Sequence, residues 1–172
     1  MKKEVWLRGE LVPGVSPYLQ PAAHALLQAQ EEINALMVEF PEALLWKSTA
    51  GEATPGFHLK HIAGVQDRLM TYAENKLLTE AQLAYLKNEK EADSFLEDLL
   101  FILNTSFATT IDRMRQFRDE DITEFRGVGR QQLPSTVAGL CFHTAEHTMR
   151  HTGQLLVTVK VLKGSFRIQY NN

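Results

Sequence analysis

Four long stretches of this sequence repeat apolar residues at three- and four-residue intervals, and that period constrains the fold more than any other feature. The first runs through Leu19, Ala23, Leu26, Leu27, Ile33, Met37 and Phe40. The second carries Phe57, His61, Val65, Leu69 and Tyr72, and the third Leu96, Leu99, Leu100, Leu103, Phe107, Ile111, Met114 and Phe117. In the fourth, Val137, Leu140, Cys141, Thr148, Leu155, Val159 and Leu162 fall within about 60° of one direction on a helical wheel. A stripe of this period marks a helix with one buried face. Four such helices with two long connections predict an all-α four-helix bundle.

Local signals place the helix ends. Pro17 to Pro21 suit the start of the first helix, and Pro41 ends it. Residues 41–53 read as a connection in which Trp46 is a packing lid. Thr54-Pro55 is an N-cap with proline in the first turn, opening a helix to about Asn75. Thr79-Glu-Ala-Gln82 is a capping box for a short helix through about Leu86. The third long helix covers about Glu91 to Phe117. Residues 119–133, with Gly127 and Gly129, read as a loop or small hairpin, too short and wrongly flanked to cradle phosphate. Leu133-Pro134-Ser135 opens the last helix, which runs to about Lys163 with Gly164 at its C-terminal stop. An arm over 1–17 precedes the bundle, and a tail over 165–172 docks as a strand or stays loose. A chain of 172 residues suits one domain over its whole length.

Composition removes several function classes. The net charge is −3 and no basic run exceeds two residues, which argues against a nucleic-acid partner. No apolar stretch approaches the roughly 18 residues that cross a bilayer, and the start of the chain lacks an apolar signal core. A lone cysteine, Cys141, rules out an internal disulfide and reads as packing. Together these features point to the cytoplasm.

The chemistry lies in the histidines. His143, His147 and His151 recur every four residues on the last helix. Such residues drift by only about 40° per step, so they stack along one side. His147 and His151 are best placed toward the apolar face, and His143 tends to the rim. His58 and His61 form a second cluster on the second long helix, and the wheel does not separate them. Single buried histidines are ordinary, but two clusters on facing apolar sides are costly unless something satisfies their nitrogens. A divalent metal ion does so, imidazole being its commonest ligand. His147-Thr-Met-Arg-His151 lacks the glutamate of the zincin motif, and paired Glu-x-x-His motifs of di-iron bundles are absent. Glu146 and His143 are the candidates for moving protons, and Arg130, in the loop before the last helix, reads as a solvated loop charge or, as the alternative, a contact for an anionic substrate.

The stretch Thr54-Pro-Gly-Phe-His58-Leu-Lys-His61-Ile-Ala-Gly, followed by Leu133-Pro-Ser-Thr and then His143-Thr-Ala-Glu-His147-Thr-Met-Arg-His151-Thr-Gly-Gln154, resembles the DinB-like (DinB/YfiT-like) superfamily. The resemblance covers roughly residues 18 to 163 and is specific in the two histidine segments. It implies a four-helix bundle of metal-dependent enzymes, often homodimeric, with one histidine from the second long helix and a His-x-x-x-His pair from the last. On this chain the implied ligands are His61, His147 and His151. His58 and His143 then become candidates for supporting or lining the site, with Gln154 a further secondary candidate. Zn²⁺ or Ni²⁺ is expected, with Fe²⁺ or Mn²⁺ as alternatives, because imidazole discriminates poorly among them. The implied reaction is transfer of a low-molecular-weight thiol to a small electrophilic substrate, with metal-assisted hydrolysis second. The rival expectation is a non-catalytic dimeric bundle with a structural metal or a stress-response role, its site closed by His58 or His143.

Overall fold

The computed structural model describes residues 3–170, with side chains described through residue 165. Among the described residues, five α-helices and one two-stranded hairpin follow in the order α1 (Gln20–Met37), α2 (Pro55–Ala73), α3 (Glu80–Asn88), α4 (Leu96–Met114), β1 (Phe125–Val128), β2 (Leu133–Thr136) and α5 (Val137–Tyr170). The four long helices form the bundle predicted from the apolar stripes. The last, α5, packs on α1 and α2, while α4 closes the ring against α2 and α1. Phe107, Leu26, Ile33, Leu59, Ile62, Leu103, Met114 and Leu155 are almost wholly buried at its centre. None of the described helices is long and apolar enough to cross a membrane.

The caps act where the sequence places them. Thr54 Oγ1 accepts from Phe57 N at 3.1 Å and starts α2. Thr79 and Gln82 complete a reciprocal capping box on α3. Thr54→Ala should lower the unfolding free energy by about 1 kcal/mol in denaturant melts, the usual worth of such a cap. A change under a few tenths would mean that Pro55 alone sets the start of α2.

Other boundaries differ from expectation for visible reasons. Helix α1 stops at Met37, three residues before Phe40, and Glu39 adopts a left-handed φ of 51° ahead of Pro41. The third long helix begins at Leu96 rather than near Glu91. The preceding segment is tied down as a loop. Lys60 Nζ donates to Glu91 O at 3.2 Å and to Asp93 Oδ1 at 2.8 Å, and Trp46 Nε1 donates to Ser94 O at 3.1 Å. Trp46 thus packs as a lid, close enough to Gly56 that a Cβ there would fall 2.7 Å from its ring.

Leu133 to Thr136 form β2 instead of the first turn of the last helix. They pair antiparallel with Phe125 to Val128, Arg126 opposite Ser135 and Gly127 opposite Pro134. Thr136 is the true cap, its Oγ1 accepting from Gly139 N at 3.0 Å. At the other end α5 continues through Gly164, which keeps helical rather than left-handed backbone, so neither the stop at Gly164 nor a strand over 165–170 forms. The expectations for the side chains of Phe166 and Ile168, and for residues 171–172, lie outside the described residues. The N-terminal arm lies against α1, with Val5, Val12 and Val15 buried and Gln20 bonded to the backbone of Val12 and Val15.

Candidate metal centre

Two adjacent helices bring the histidines together. His58 and His61 sit on α2, and His143, His147 and His151 on α5, the helix packed beside it. Each of His61, His147 and His151 offers a ring nitrogen, and these three nitrogens all lie within 4.8 Å of one another. His61 Nε2 and His147 Nε2 are 2.9 Å apart. The ring centroids of His61 and His147 are each about 4.5 Å from that of His151 (4.5 and 4.6 Å).

The environment keeps two of these rings, His147 and His151, uncharged. Burial pushes His147 down to about 4, with repulsion from His61 adding to it. Burial likewise takes His151 to about 3, with smaller contributions from His61, His147 and His58. An imidazole unprotonated at ordinary pH keeps a lone pair for a cation. Three imidazole nitrogens at this spacing could hold a borderline-soft divalent ion, for which nitrogen-rich coordination is usual. Among the described residues His147 Nδ1 is buried without a hydrogen-bond partner, while its Nε2 faces His61.

The other sequence candidates fall around this cluster at different depths. His58 is 3% exposed, and its Nδ1 lies 3.0 Å from His151 Nδ1, so one of these rings donates to the other. Burial, then repulsion from His61, lowers His58 to about 4. His143 is at the rim as expected, about half exposed, with its ring 5.4 Å from that of His147. Glu146 is ion-paired to Arg150 one turn along α5, which holds its carboxyl below the usual range. Arg130 and Gln154 are both exposed, and among the described residues no hydrogen bond joins either to the histidines. Cys141 is fully buried, its thiol pushed up to about 12 by burial, in keeping with packing.

Sequence reasoning missed Glu89. This residue follows α3 in a charged segment, Lys87-Asn-Glu89-Lys-Glu91, that reads as solvated loop. It is instead 3% exposed, and its Oε2 accepts from His61 Nδ1 at 2.7 Å. Its Oε1 accepts from Arg68 Nη1 at 2.7 Å. The only sequence trace of this arrangement is Gly64 in the interior of α2, where glycine is unfavourable without a reason. A Cβ there would fall 2.5 Å from Glu89 Oε1 and 2.6 Å from Arg68 Nη1. Phe57 completes the surround, stacked on the His61 ring at 5.1 Å and 13°.

Comparison with known proteins agrees with this architecture. Residues 25–155 match the family model described as the DinB superfamily. A crystal structure of a protein from Streptococcus pneumoniae superposes with a TM-score of 0.63 at 15% identity, covering 87% of this chain and 93% of that one. An uncharacterized protein from Clostridium difficile 630 gives the same TM-score and identity, with 87% and 98% covered. At that identity the likeness is one of fold. No curated protein matches the chain.

Proposed function

This chain belongs to the DinB superfamily, and on that premise we propose that it is a divalent-metal-dependent enzyme whose ion is held by His61, His147 and His151. The observation that carries the reading is the convergence of three nitrogens from two helices within 4.8 Å, two of them on rings, His147 and His151, that burial keeps unprotonated. Zn²⁺ or Ni²⁺ suits such a donor set best, with Fe²⁺ or Mn²⁺ next. An ion with three neutral protein ligands and an open position supplies Lewis acidity toward a small thiol or a water. The reaction class we favour is transfer of a low-molecular-weight thiol to a small electrophile, with hydrolysis second.

The chain's own residues divide the remaining work. Phe57 covers one face of His61 and fixes the plane of its ring. Glu146 is a poor proton acceptor because Arg150 holds its carboxylate. That leaves His143, half exposed beside His147, to take a proton from an incoming thiol or water. Purified untagged protein should contain about one divalent ion per chain. Chelation should remove thiol transfer, and His143→Gln should lower turnover by roughly 10²-fold without lowering metal content. A chain that carries no divalent ion after growth and titration in Zn²⁺ and Ni²⁺ would end this reading.

One observation favours a structural site instead. His58 is as buried as a core residue and shares a hydrogen bond with His151, which ties the histidine cluster into the core. A closed structural site predicts that chelation unfolds the protein, whereas an open site predicts that the bundle stays folded.

A further inference from the structure

We propose that Glu89 is a positioning residue, holding His61 in the one tautomer whose Nε2 lone pair is turned toward the ion. The inference rests on the metal reading above and names a residue outside its ligand set. A carboxylate only accepts hydrogen bonds, so at 2.7 Å the Nδ1 of His61 is the donor to Glu89 Oε2. With the proton on Nδ1, a neutral imidazole has its lone pair on Nε2, and that is the atom 2.9 Å from His147 Nε2. Glu89 is itself held in place. Arg68 Nη1 occupies its other oxygen, and the two side chains are only 4% and 9% exposed.

Spacing on α2 builds the arrangement. His61, Gly64 and Arg68 stand three and four residues apart, on one side of the helix. Gly64 leaves the gap in which the carboxylate lies, bridging the ring on one side and the guanidinium on the other. Helix α3 delivers Glu89 to that gap. Tyr85 Oη donates to Lys60 O at 3.2 Å, and Gln82 Nε2 donates to Asp67 Oδ2 and Thr71 Oγ1, both at 2.8 Å. Among the described residues the other two rings lack such a guide: His147 Nδ1 has no hydrogen-bond partner, and the hydrogen bond of His151 goes to another imidazole. His61 is therefore the ring fixed before an ion arrives, and Glu89 fixes it. A partner of this kind raises the basicity of the ligating nitrogen and removes the cost of choosing a tautomer on binding.

The test compares wild type with Glu89→Gln and with Glu89→Leu/Arg68→Met, which removes the buried pair together so that no unpaired charge is left. Two readouts are taken: the ¹⁵N tautomer signature of His61 in metal-free protein, and Zn²⁺ affinity by chelator competition. Wild type should show His61 protonated at Nδ1 and bare at Nε2. Both variants should lose that preference and bind Zn²⁺ about 10- to 100-fold more weakly. A wild-type His61 protonated at Nε2, or a folded variant with unchanged tautomer, overturns the proposal. So does a folded variant whose Zn²⁺ affinity stays within twofold of wild type. A wild type that takes up no Zn²⁺ overturns the metal reading itself, which separates the two failures.

Discussion

His61→Ala and His147→Ala should each abolish stable metal uptake while the bundle stays folded. Three imidazoles share the ion in the proposed site, so removing one deletes about a third of the protein's coordination. Structural zinc sites bind with roughly 10–16 kcal/mol in total, which puts one ligand at several kcal/mol and the loss of affinity at about 10²- to 10³-fold. Metal content after desalting should fall from about one ion per chain to under about 0.1. The fold has little reason to follow. The core of Phe107, Leu26, Ile33, Leu59 and Ile62 is formed by other side chains. In His61→Ala the Glu89 carboxylate keeps its bond to Arg68, so no buried charge is stranded. The metal-free variants should melt within a few degrees of metal-free wild type. Unchanged metal content in both variants would show that the ligand set is wrong, and loss of the folded state in both would favour a structural site. His151→Ala is the less clean variant, because it also takes away the partner of His58.

Much of this architecture is legible in the sequence because it is governed by local rules. Apolar period and the Thr54 and Thr79 caps act within one or two helical turns, and each appears in the structure where the residues place it. The convergence of α2 and α5 follows from the same stripes, since His61 and His147 ride on faces that a bundle must turn inward. The misreadings share a different cause. Leu133-Pro-Ser looks like a helix start locally, but its backbone is claimed by a partner strand at 125–128. Gly164 permits a helix stop without imposing one. Glu89 is the clearest case. Nothing within ten residues of it reports a buried role, because its partners His61 and Arg68 lie 28 and 21 positions away. Helix α2 is accordingly buried on more sides than one stripe predicts: Lys60, Gly64 and Arg68 lie under α3 and the segment that follows it.

In metal-free protein the same histidines should make stability fall with pH well before the carboxylates do. Burial is the main cause that lowers His58, His147 and His151, to about 4, 4 and 3. In the unfolded chain they return to the ordinary value near 6.5. Between pH 6.5 and about 4 the unfolded state therefore binds protons that the folded state refuses, and unfolding gains with each step down in pH. Each proton refused is worth at most about 1.4 kcal/mol per pH unit, and the partial exposure of His147 and His151 reduces that. The melting temperature should drop on the order of 5–10 °C from pH 7 to pH 5. Glu74, Asp93, Asp121 and Glu146 are also held low by their basic partners, but their stabilisation is lost only as pH falls below their unfolded values near 4. The window from pH 6.5 to 5 thus reports the histidines. His151→Asn should flatten the metal-free slope. A melting temperature that stays level from pH 7 to 5, or a slope that survives in His151→Asn undiminished, would mean that these rings are solvated enough to titrate normally and are not the desolvated donors that the proposed centre requires.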